Sequence, residues 1–320
     1  MFFSHRNAII ITSVVVSFLA TLVVIHFKRN DQPLNSSLTT FSYEPIMLSV
    51  DPEFYSSKSD ETSKETKNND QKINSSQSTE NSKEVTAKAY LVGNIETGKI
   101  LLGKNIEKVL PVASMSKLVT AFVATDELDL NKVVEITSEM TDVPPDSSNI
   151  KAGEKYTVKE LLYPLLLSSS NVAAEALASS SDRAYFMERM KSYAWEIGMP
   201  SSFFDDPSGV SPYNTASAKD LFALSVYLYK YRPDILALTR NPSLLSAAVA
   251  EHAERRYTST HPFVNDTRFI GGKTGRTPLA GDTMMTILKI NDKPISFIVL
   301  GSKYDNRAND TRLLIEKLKQ

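Results

Sequence analysis

A long polar stretch divides this chain and confines the main folded domain to its C-terminal side. From Ser56 to Glu84 the only apolar residue is Ile73, and all others are Ser, Thr, Asn, Gln, Lys, Asp or Glu. Such a stretch cannot bury enough apolar surface to offset the conformational entropy that folding removes. The sequence therefore predicts a disordered polar linker over residues 28–85 and a globular domain over residues 86–320. An apolar patch at residues 41–55 either docks on that domain or stays part of the linker.

An uncharged apolar run precedes the linker. It extends from Ala8 to Phe27, and as a helix its 20 residues would span about 30 Å, the thickness of a bilayer's hydrocarbon core. No small-x-small cleavage site follows it, which favours a retained anchor over a cleaved signal peptide. We therefore predict a cytoplasmic N-terminus over residues 1–7 and a transmembrane helix over residues 8–27. Lys28 and Arg29 weaken the positive-inside argument, so the chemistry of the domain has to decide its side of the membrane.

Composition excludes several classes of function. The chain has no cysteine, which rules out disulfides, thiolate metal sites and a cysteine nucleophile. Its four histidines argue against a multi-histidine metal centre. The 36 basic and 37 acidic residues give a net charge of −1, so no nucleic-acid partner is expected. We expect no metal, no cofactor, and chemistry built on Ser, Thr, Lys, carboxylates, amides and backbone groups.

Residue patterns within the globular domain predict strands at both of its ends and helices between them. A hairpin with Gly98 in its turn is expected over residues 87–102. A capping box at Thr157 and Glu160 begins a helix, because each side chain satisfies a backbone N–H of the first turn. Predicted helices cover 157–167, 182–197, 217–231 and 310–319, and predicted strands cover 268–275, 281–290 and 295–302. This order favours an α/β (α+β) fold in which helices flank a mostly antiparallel sheet.

One candidate for nucleophilic chemistry is Ser114-Met-Ser-Lys117, at the start of a predicted helix. Residues three apart share a helix face, so Lys117 is expected one turn from the Ser114 hydroxyl. A serine hydroxyl needs a neighbouring base, and a lysine whose pKa is lowered by burial or a nearby cation can act as one. A helix start also presents free N–H groups to an oxyanion. A second Ser-x-x-Lys, Ser148 to Lys151, follows two prolines in a predicted loop.

A second motif, Ser169-Ser-Asn171, follows the predicted helix over residues 157–167. By itself it is more typical of a polar cap between two helices than of a catalytic motif. The string Ser147-Ser-Asn149 repeats the same pattern in the proline loop, so the pattern alone carries little information.

A third motif is Gly271-Gly-Lys-Thr-Gly275. A nucleotide-binding P-loop ends in a similar way, but Thr267 stands where that motif needs a glycine and no helix pattern follows. The alternative is a strand edge that offers backbone groups to a bound peptide. Lys273 and Thr274 would then bind an anion.

The three motifs in this order resemble the penicillin-recognising serine enzymes. Neighbouring segments, among them Pro111–Ala121, Asp206-Pro-Ser-Gly-Val210 and Gly272–Thr277, are similar to those of the low-molecular-mass D-alanyl-D-alanine carboxypeptidases of peptidase S11 type. The resemblance covers residues 86–320. It implies a β-lactamase/transpeptidase-like fold and a catalytic domain that faces peptidoglycan outside the cytoplasm.

The resemblance implies catalytic roles for four residues. Ser114 is the acyl-ester nucleophile that attacks the carbonyl between two D-alanines, and Lys117 is the base that takes its proton. Ser169 passes a proton toward the leaving nitrogen. Asn171 holds the amide on the acyl side of the scissile bond.

The resemblance also implies substrate-binding roles along the third motif. Lys273 supplies positive charge that lowers the pKa of Lys117 and attracts substrate, and Thr274 binds the terminal carboxylate. Gly275 and Arg276 complete this edge, and the backbone N–H groups of Ser114 and Arg276 form the oxyanion hole.

Several functions share these motifs. The resemblance favours a carboxypeptidase acting on the D-Ala-D-Ala end of peptidoglycan stem peptides, with β-lactam antibiotics as inhibitors, and the apolar run over residues 8–27 adds a membrane anchor. A DD-endopeptidase would cut crosslinks with the same residues, and a β-lactam-acylated sensor would turn over little. A class A β-lactamase, which uses a Glu-x-x-Leu-Asn loop to position its deacylating water, shares this fold and the first and third motifs.

Two positions depart from the family pattern. Ser170 stands where the family usually has glycine, which adjusts the cleft without removing a catalytic group. Relatives often carry an arginine upstream of Lys-Thr-Gly that assists carboxylate binding, and the comparable spacing here falls near Thr258. Arg256 and Arg276 are the candidates to replace it.

Overall fold

The computed structural model of the chain describes residues 48–50, 84–248 and 252–319. The predicted transmembrane helix over residues 8–27 and most of the predicted linker lie outside these ranges. Within them, no helix combines the length and the apolar character that crossing a bilayer requires.

A six-stranded sheet forms the centre of the fold. The strands in the described ranges are β1 Ser49–Val50, β2 Ala89–Asn94, β3 Lys99–Lys104, β4 Leu110–Pro111, β5 Val133–Glu135, β6 Lys155–Thr157, β7 Thr215–Ala216, β8 Ser243–Ser246, β9 Arg255–Thr258, β10 Phe269–Thr277, β11 Gly281–Ile290 and β12 Lys293–Ser302. The central sheet has the order β1-β3-β2-β12-β11-β10, with β1 parallel to β3 and the other pairs antiparallel. The pairs β4–β7, β5–β6 and β8–β9 form small antiparallel ribbons.

Helices cover both faces of the central sheet. A 3₁₀ helix spans Ala113–Ser116, and the α-helices of the described residues are α1 Lys117–Glu127, α2 Ser138–Thr141, α3 Val158–Leu166, α4 Asn171–Ser179, α5 Arg183–Glu196, α6 Ala218–Tyr231, α7 Pro233–Thr239 and α8 Arg307–Lys317. The predicted α/β (α+β) fold, a mostly antiparallel sheet flanked by helices, is confirmed.

The sheet separates two apolar cores, because successive side chains of a strand point to opposite faces. On β12, Ile298 and Leu300 join the larger core, which most of the helices build. Phe297 and Val299 lie in the smaller core, together with Leu314 of α8. With both faces covered, β12 is buried along almost its whole length.

Helix α1 lies in the larger core. Its residues from Lys117 to Ala124 are all buried. Phe122 stacks on Tyr193 of α5 with 4.7 Å between the ring centroids. The packing of this helix therefore removes the side chain of its first residue, a lysine, from water, which disfavours the charged form of the amine.

The predicted helix starts are confirmed at their capping residues. The Thr157 hydroxyl accepts from the N–H of Glu160 at 3.1 Å, and the Glu160 carboxylate accepts from the N–H of Thr157 at 2.8 Å. Ser217 and Asp220 form the same reciprocal box at the start of α6. Each box satisfies backbone donors that a helix cannot satisfy internally.

The last helix differs from its prediction, because α8 begins at Arg307 rather than at Asp310. The carboxylate of Asp310 is buried and accepts from the N–H and the hydroxyl of Thr86 at 2.7 and 2.8 Å. Asp310 therefore lies within α8 and fastens the first residues of the domain to this C-terminal helix.

Residues 48–50 lie within the predicted linker but pair with the sheet. Ser49 and Val50 are in parallel register with Lys99 and Ile100 of β3, and Leu48 packs against the larger core. Main-chain pairing of this kind covers the edge of a sheet. These three residues of the apolar patch therefore dock on the domain instead of remaining part of the linker.

Candidate active site

The predicted nucleophile Ser114 lies on the 3₁₀ helix that leads into α1. Ala113, directly before it, has a φ of 51°, in the left-handed region that an alanine adopts only when its surroundings hold it there. Gly209 is one of the residues that hold Ala113 in this conformation. It packs so closely that a Cβ on Gly209 would lie 2.0 Å from the Ala113 carbonyl oxygen. Tight backbone packing thus fixes the segment that carries the Ser114 hydroxyl.

The amine of Lys117 is buried and contacts three oxygen atoms. Its Nζ lies 2.9 Å from Ser114 Oγ, 2.9 Å from Asn171 Oδ1 and 2.5 Å from the Ser208 carbonyl oxygen. A neutral amine has two hydrogens and one lone pair. The amide and carbonyl oxygens have no proton to donate, so they take the two hydrogens. The lone pair is then left for the hydroxyl of Ser114.

Burial makes the neutral form of this amine accessible. Removal from water lowers the pKa of Lys117 to about 7, against the opposing negative charges of Asp206 and Asp146. The positive charge of Lys273, to which the family resemblance attributed this lowering, is therefore not the main cause. At neutral pH a large share of Lys117 is able to accept a proton.

The segment Ser169–Asn171, between α3 and α4, contacts both buried amines of the site. Ser169 Oγ accepts from Lys273 Nζ at 2.8 Å, and Asn171 Oδ1 accepts from Lys117 Nζ. Ser169 has a φ of 63°, so the connection is held in a left-handed turn that serine rarely adopts. Ser170 is buried and caps α4 by accepting from the N–H of Ala173 at 3.1 Å. The motif is thus both a helix cap and a bridge between the two amines.

Lys273 lies in the middle of β10 with its amine buried. Besides Ser169 Oγ, its Nζ donates to the backbone oxygen of Thr274 at 2.8 Å. Burial lowers the pKa of Lys273 well below its ordinary value, and the positive charges of Lys117 and Arg307 lower it further. Repulsion between the two amines is mutual, so loss of the proton from Lys117 helps Lys273 to keep its own. One positive charge can remain in the site while the other amine acts as a base.

Glycine lets β10 pass close to the backbone of the nucleophile. A Cβ on Gly275 would lie 2.9 Å from the Val112 oxygen and 3.0 Å from the Ala113 Cβ. On the adjacent strand, the Thr283 hydroxyl donates to the same Val112 oxygen at 2.9 Å. The Lys-Thr-Gly segment therefore packs directly against the residues that precede Ser114.

Two more predicted binding residues lie on β10. Thr274 is buried, and its hydroxyl shares a 2.8 Å hydrogen bond with the hydroxyl of Thr260, an exposed residue. Arg276 forms ion pairs with the carboxylates of Asp282 and Asp305. Acidic groups of the protein therefore already compensate the side-chain charge of Arg276.

The other arginine candidate lies in a surface ribbon. Arg256 donates to the Ser243 hydroxyl at 3.2 Å across the β8–β9 pair, and Thr258 pairs with Ser243 in the same ribbon. Arg307 of α8, which no sequence motif marked, donates to the carbonyl oxygen of Gly275 at 2.9 Å. It is the arginine that reaches the Lys-Thr-Gly segment from another element.

The second Ser-x-x-Lys string, Ser148 to Lys151, does not bring its serine and lysine together. Ser148 is buried with its Oγ 3.0 Å from Ser170 Oγ, whereas Lys151 is exposed. Residues 143–154 contain neither helix nor strand, which confirms the predicted loop. Without a helix, spacing by three does not bring the lysine to the serine.

Three groups that contact or act on Lys117 were not candidates from the sequence: the Ser208 carbonyl, Asp206 and Asp146. The Asp206 carboxylate accepts from the N–H groups of Ser208 and Gly209, both at 2.6 Å, and so shapes the turn that presents the Ser208 carbonyl. The Asp146 carboxylate accepts from the N–H of Asn171 at 2.6 Å. Asp206 and Ser208 lie in the Asp206–Val210 segment that supported the family resemblance, but nothing in that segment predicted a contact with Lys117, and no motif marked Asp146.

These contacts together suit acyl transfer. An alcohol and a partly neutral amine are in contact, a second amine holds another hydroxyl, and a glycine-containing strand lies beside the nucleophile. In the part of the chain that the structure describes, no group of three or more His, Cys, Asp or Glu side chains could hold a metal ion.

Residues 75–304 match the model of the peptidase S11 family, described as D-alanyl-D-alanine carboxypeptidase. The chain belongs to this family. A D-alanyl-D-alanine endopeptidase of Pseudomonas aeruginosa is 30% identical to this peptidase over 238 residues, which cover 72% of this chain and 76% of that protein. The D-alanyl-D-alanine carboxypeptidase DacB2 of Mycobacterium tuberculosis is 29% identical over 205 residues, 62% of this chain and 69% of the relative. The resemblance inferred from the motifs is confirmed.

Solved penicillin-binding proteins share the fold of this peptidase. Penicillin-binding protein D2 of Listeria monocytogenes, in its cefotaxime-bound form, matches with a TM-score of 0.65 and 29% identity, covering 74% of this chain and 98% of that one. The protein is therefore a hydrolase of the peptidase S11 family with the penicillin-binding protein fold.

Proposed function

We propose that this peptidase is a serine-type D-Ala-D-Ala carboxypeptidase that removes the terminal D-alanine from peptidoglycan stem pentapeptides through an acyl-enzyme. The observation that carries the proposal is the 2.9 Å contact between the Lys117 amine and the Ser114 hydroxyl. Burial lowers the pKa of Lys117 to about 7, so this contact pairs an alcohol with a base that is partly neutral at physiological pH. Family membership and the carboxypeptidase relative support the substrate class.

In the proposed acylation, Lys117 takes the hydroxyl proton of Ser114 as the serine oxygen bonds to the carbonyl carbon between the two D-alanines. The carbonyl oxygen becomes negative, and the backbone N–H groups of Ser114 and Arg276 are the proposed donors to it. Each such donor contributes about 3–4 kcal/mol to the transition state. The C–N bond then breaks, and the proton held by Lys117 returns through Ser169 to the nitrogen of the departing D-alanine.

The other residues of the site are proposed to orient the substrate. Asn171 holds the amide on the acyl side, and Lys273 with Thr274 and Gly275 attracts and seats the terminal carboxylate at the edge of β10. In the second half of the reaction a water molecule attacks the ester of Ser114. Its proton passes to the base, the bond between the Ser114 oxygen and the acyl carbon breaks, the proton moves from the base to that oxygen, and the shortened stem peptide leaves.

A DD-endopeptidase that cuts peptidoglycan crosslinks is the second candidate. The observation that favours it is the name of the 30% identical Pseudomonas aeruginosa relative, an endopeptidase. Both reactions break an amide bond on the carbonyl side of D-alanine through the same acyl-enzyme. They differ in the group that carries the leaving amine.

Product analysis on purified muropeptides distinguishes the two. The protein is incubated separately with a monomeric pentapeptide muropeptide and with a crosslinked dimer, and products are quantified by liquid chromatography and mass spectrometry. A carboxypeptidase converts the monomer to tetrapeptide and free D-alanine, whereas an endopeptidase converts the dimer to monomers. Ser114→Ala should do neither. Release of no more than one equivalent of D-alanine per protein, with the dimer left uncut, would instead indicate a β-lactam-acylated sensor with little turnover.

The proposed function includes two partners besides the stem peptide. β-Lactam antibiotics are proposed to acylate Ser114, which the cefotaxime-bound Listeria protein supports. The uncharged run over residues 8–27 supports a single-pass membrane anchor. A peptidoglycan hydrolase needs its catalytic domain outside the cytoplasm, and protease accessibility of residues 86–320 in intact spheroplasts tests that side.

A further inference from the structure

Asp146 is an acidic residue of the site that none of the proposed roles uses. It lies, half-buried, in the loop before β6 and beside the start of α4. One carboxylate oxygen accepts from the N–H of Asn171 at 2.6 Å, from the N–H of Val172 at 3.2 Å and from the hydroxyl of Ser170 at 2.9 Å. The other oxygen accepts from the N–H of Ser148 at 2.8 Å.

The same loop also forms a hydrogen bond with the side chain of Asn171. The side-chain Nδ2 of Asn171 donates to the carbonyl oxygen of Pro144 at 3.0 Å. The remaining polar atom of that amide, Oδ1, lies 2.9 Å from Lys117 Nζ. With its main chain held by Asp146 and its Nδ2 held by Pro144, Asn171 has its oxygen directed at the amine of Lys117.

We propose that Asp146 is a positioning residue for acylation, which fixes the Asn171 amide against Lys117 and keeps that amine basic enough to take the proton of Ser114. The inference rests on the proposed use of Lys117 as the base and extends it to a residue outside the three motifs.

Asp146 carries its negative charge at physiological pH. Burial opposes ionisation of the carboxyl, but hydrogen bonds from Ser148, Ser170 and the Val172 N–H outweigh it and hold the pKa of Asp146 below its ordinary value. The carboxylate also lies at the N-terminus of α4, where the helix dipole favours an anion.

Charged groups from several elements face the Lys117 amine. Asp206 and Asp146 raise the pKa of Lys117 against the effect of burial, while Lys273 repels the protonated amine and Arg307 acts on Lys273. A base works best when its pKa lies near the working pH, and a lower pKa makes it a weaker proton acceptor. The charge of Asp146 therefore offsets part of the lowering of the Lys117 pKa that burial causes, which would otherwise make this amine too weak a base.

The test compares Asp146→Asn and Asp146→Ala in the full-length protein by the rate of acylation with a fluorescent penicillin across a range of pH. Asparagine keeps an oxygen that accepts the Asn171 N–H but has no charge. The midpoint of its rate profile should move to lower pH by on the order of half a unit to one unit. Alanine also loses the acceptor, so its rate at the high-pH plateau should fall about tenfold, because Asn171 is no longer held.

Asp142→Asn is the matched control, because it removes the same charge from an exposed residue just upstream of the loop. Its profile should coincide with that of the wild type. An unchanged midpoint in Asp146→Asn, or an unchanged plateau in Asp146→Ala, would overturn the proposal. If the alanine variant does not fold, the asparagine variant decides alone.

Failure of the proposed carboxypeptidase function can be distinguished from failure of the proposed role of Asp146. A protein that releases no D-alanine yet shows the shifted midpoint in Asp146→Asn would refute the carboxypeptidase and support the role of Asp146. Titration of the Lys117 amine by NMR of the unliganded protein, labelled with ¹³C at lysine Cε, measures the same midpoint without any acylating probe. A titration unaffected by Asp146→Asn would overturn the inference there as well.

Discussion

The amine of Lys117 lies 2.9 Å from the hydroxyl oxygen of Ser114, and its other two contacts are oxygens without protons, Asn171 Oδ1 and the Ser208 carbonyl. Two acceptors for two hydrogens leave the lone pair of the neutral amine for the serine. Activation of this serine therefore depends on the protonation state of one buried side chain, and each feature that sets that state can be altered separately.

Ser114 and Ser148 provide the first comparison, since each begins a Ser-x-x-Lys string. Ser114→Ala should abolish covalent labelling by penicillin, because of these two serines it is Ser114 whose hydroxyl contacts the amine of the lysine in its own string. Ser148→Ala should leave labelling intact, because Lys151 is exposed and the Ser148 hydroxyl contacts Ser170 instead. Gel fluorescence with a labelled penicillin measures both, and labelling lost only in Ser148→Ala would reverse the assignment.

Lys117→Arg tests whether the residue acts as a base or as a cation. Arginine keeps the positive charge but cannot release its proton at neutral pH, so the acylation rate should fall on the order of a thousandfold. Stopped-flow acylation by a penicillin measures the loss. A variant that retained most of the rate would mean that charge alone is required at this position.

The pH dependence of the wild type should follow the same amine. The pKa of Lys117 is lowered to about 7, so below pH 7 most of the amine is protonated and cannot take the serine proton. The acylation rate should therefore rise with pH and reach half of its plateau near pH 7. A rate that stayed flat from pH 6 to pH 9 would be inconsistent with Lys117 as the base.

The sequence was sufficient for the motifs and for much of the fold. Spacing by three on a helical segment predicted the contact of Lys117 with Ser114, because helix geometry is local. The reciprocal cap at Thr157 was equally local, and the structure contains it. The family resemblance of the three ordered motifs implied that Ser169 and Lys273 share one site, and Ser169 Oγ and Lys273 Nζ are 2.8 Å apart.

The groups that the sequence did not reveal are those whose role depends on tertiary packing. The third partner of Lys117 is the backbone carbonyl of Ser208, and a carbonyl carries no residue-specific signal. Asp146 acts through N–H groups of a helix that begins 25 residues later in the chain. Asp310, the first residue of the last predicted helix, contacts Thr86 at the other end of the domain. Local patterns contain no information about such distant partners.

Gly209 tests the close packing behind the nucleophile. An alanine there would combine a φ of +80° with a Cβ 2.0 Å from the Ala113 oxygen, so either Gly209 or the Ala113–Ser114 backbone must move. We expect Gly209→Ala to lose about 3 kcal/mol or more of unfolding free energy and most of its penicillin acylation.

Gly153→Ala is the matched control for this substitution. Gly153 has a similar φ of +86°, but nothing lies within 4 Å of an added Cβ. Only the left-handed conformation is then unfavourable, which costs about 1–2 kcal/mol and leaves acylation unchanged. Urea denaturation and acylation rates measure both variants. Equal losses would mean that conformation, not contact with Ala113, accounts for the effect of Gly209.

Lys117 should also link stability to pH. Its pKa is about 7 in the folded protein and about 10.5 when exposed, so between these values the unfolded chain binds the additional proton. Stability therefore rises with pH across this range, by about 1.4 kcal/mol per pH unit for one proton. Below pH 7 the amine is protonated in both states, and this contribution to the slope disappears.

Lys117→Met removes the titrating group and should remove this part of the slope. In the variant Lys273 is no longer repelled and regains its proton more readily, which reduces the slope in the same direction. Urea denaturation of both proteins at intervals from pH 7 to pH 10 should show the wild type gaining stability relative to the variant as pH rises. Parallel stability curves would mean that Lys117 keeps an ordinary pKa in the folded protein, and the amine could not then be the base that activates Ser114.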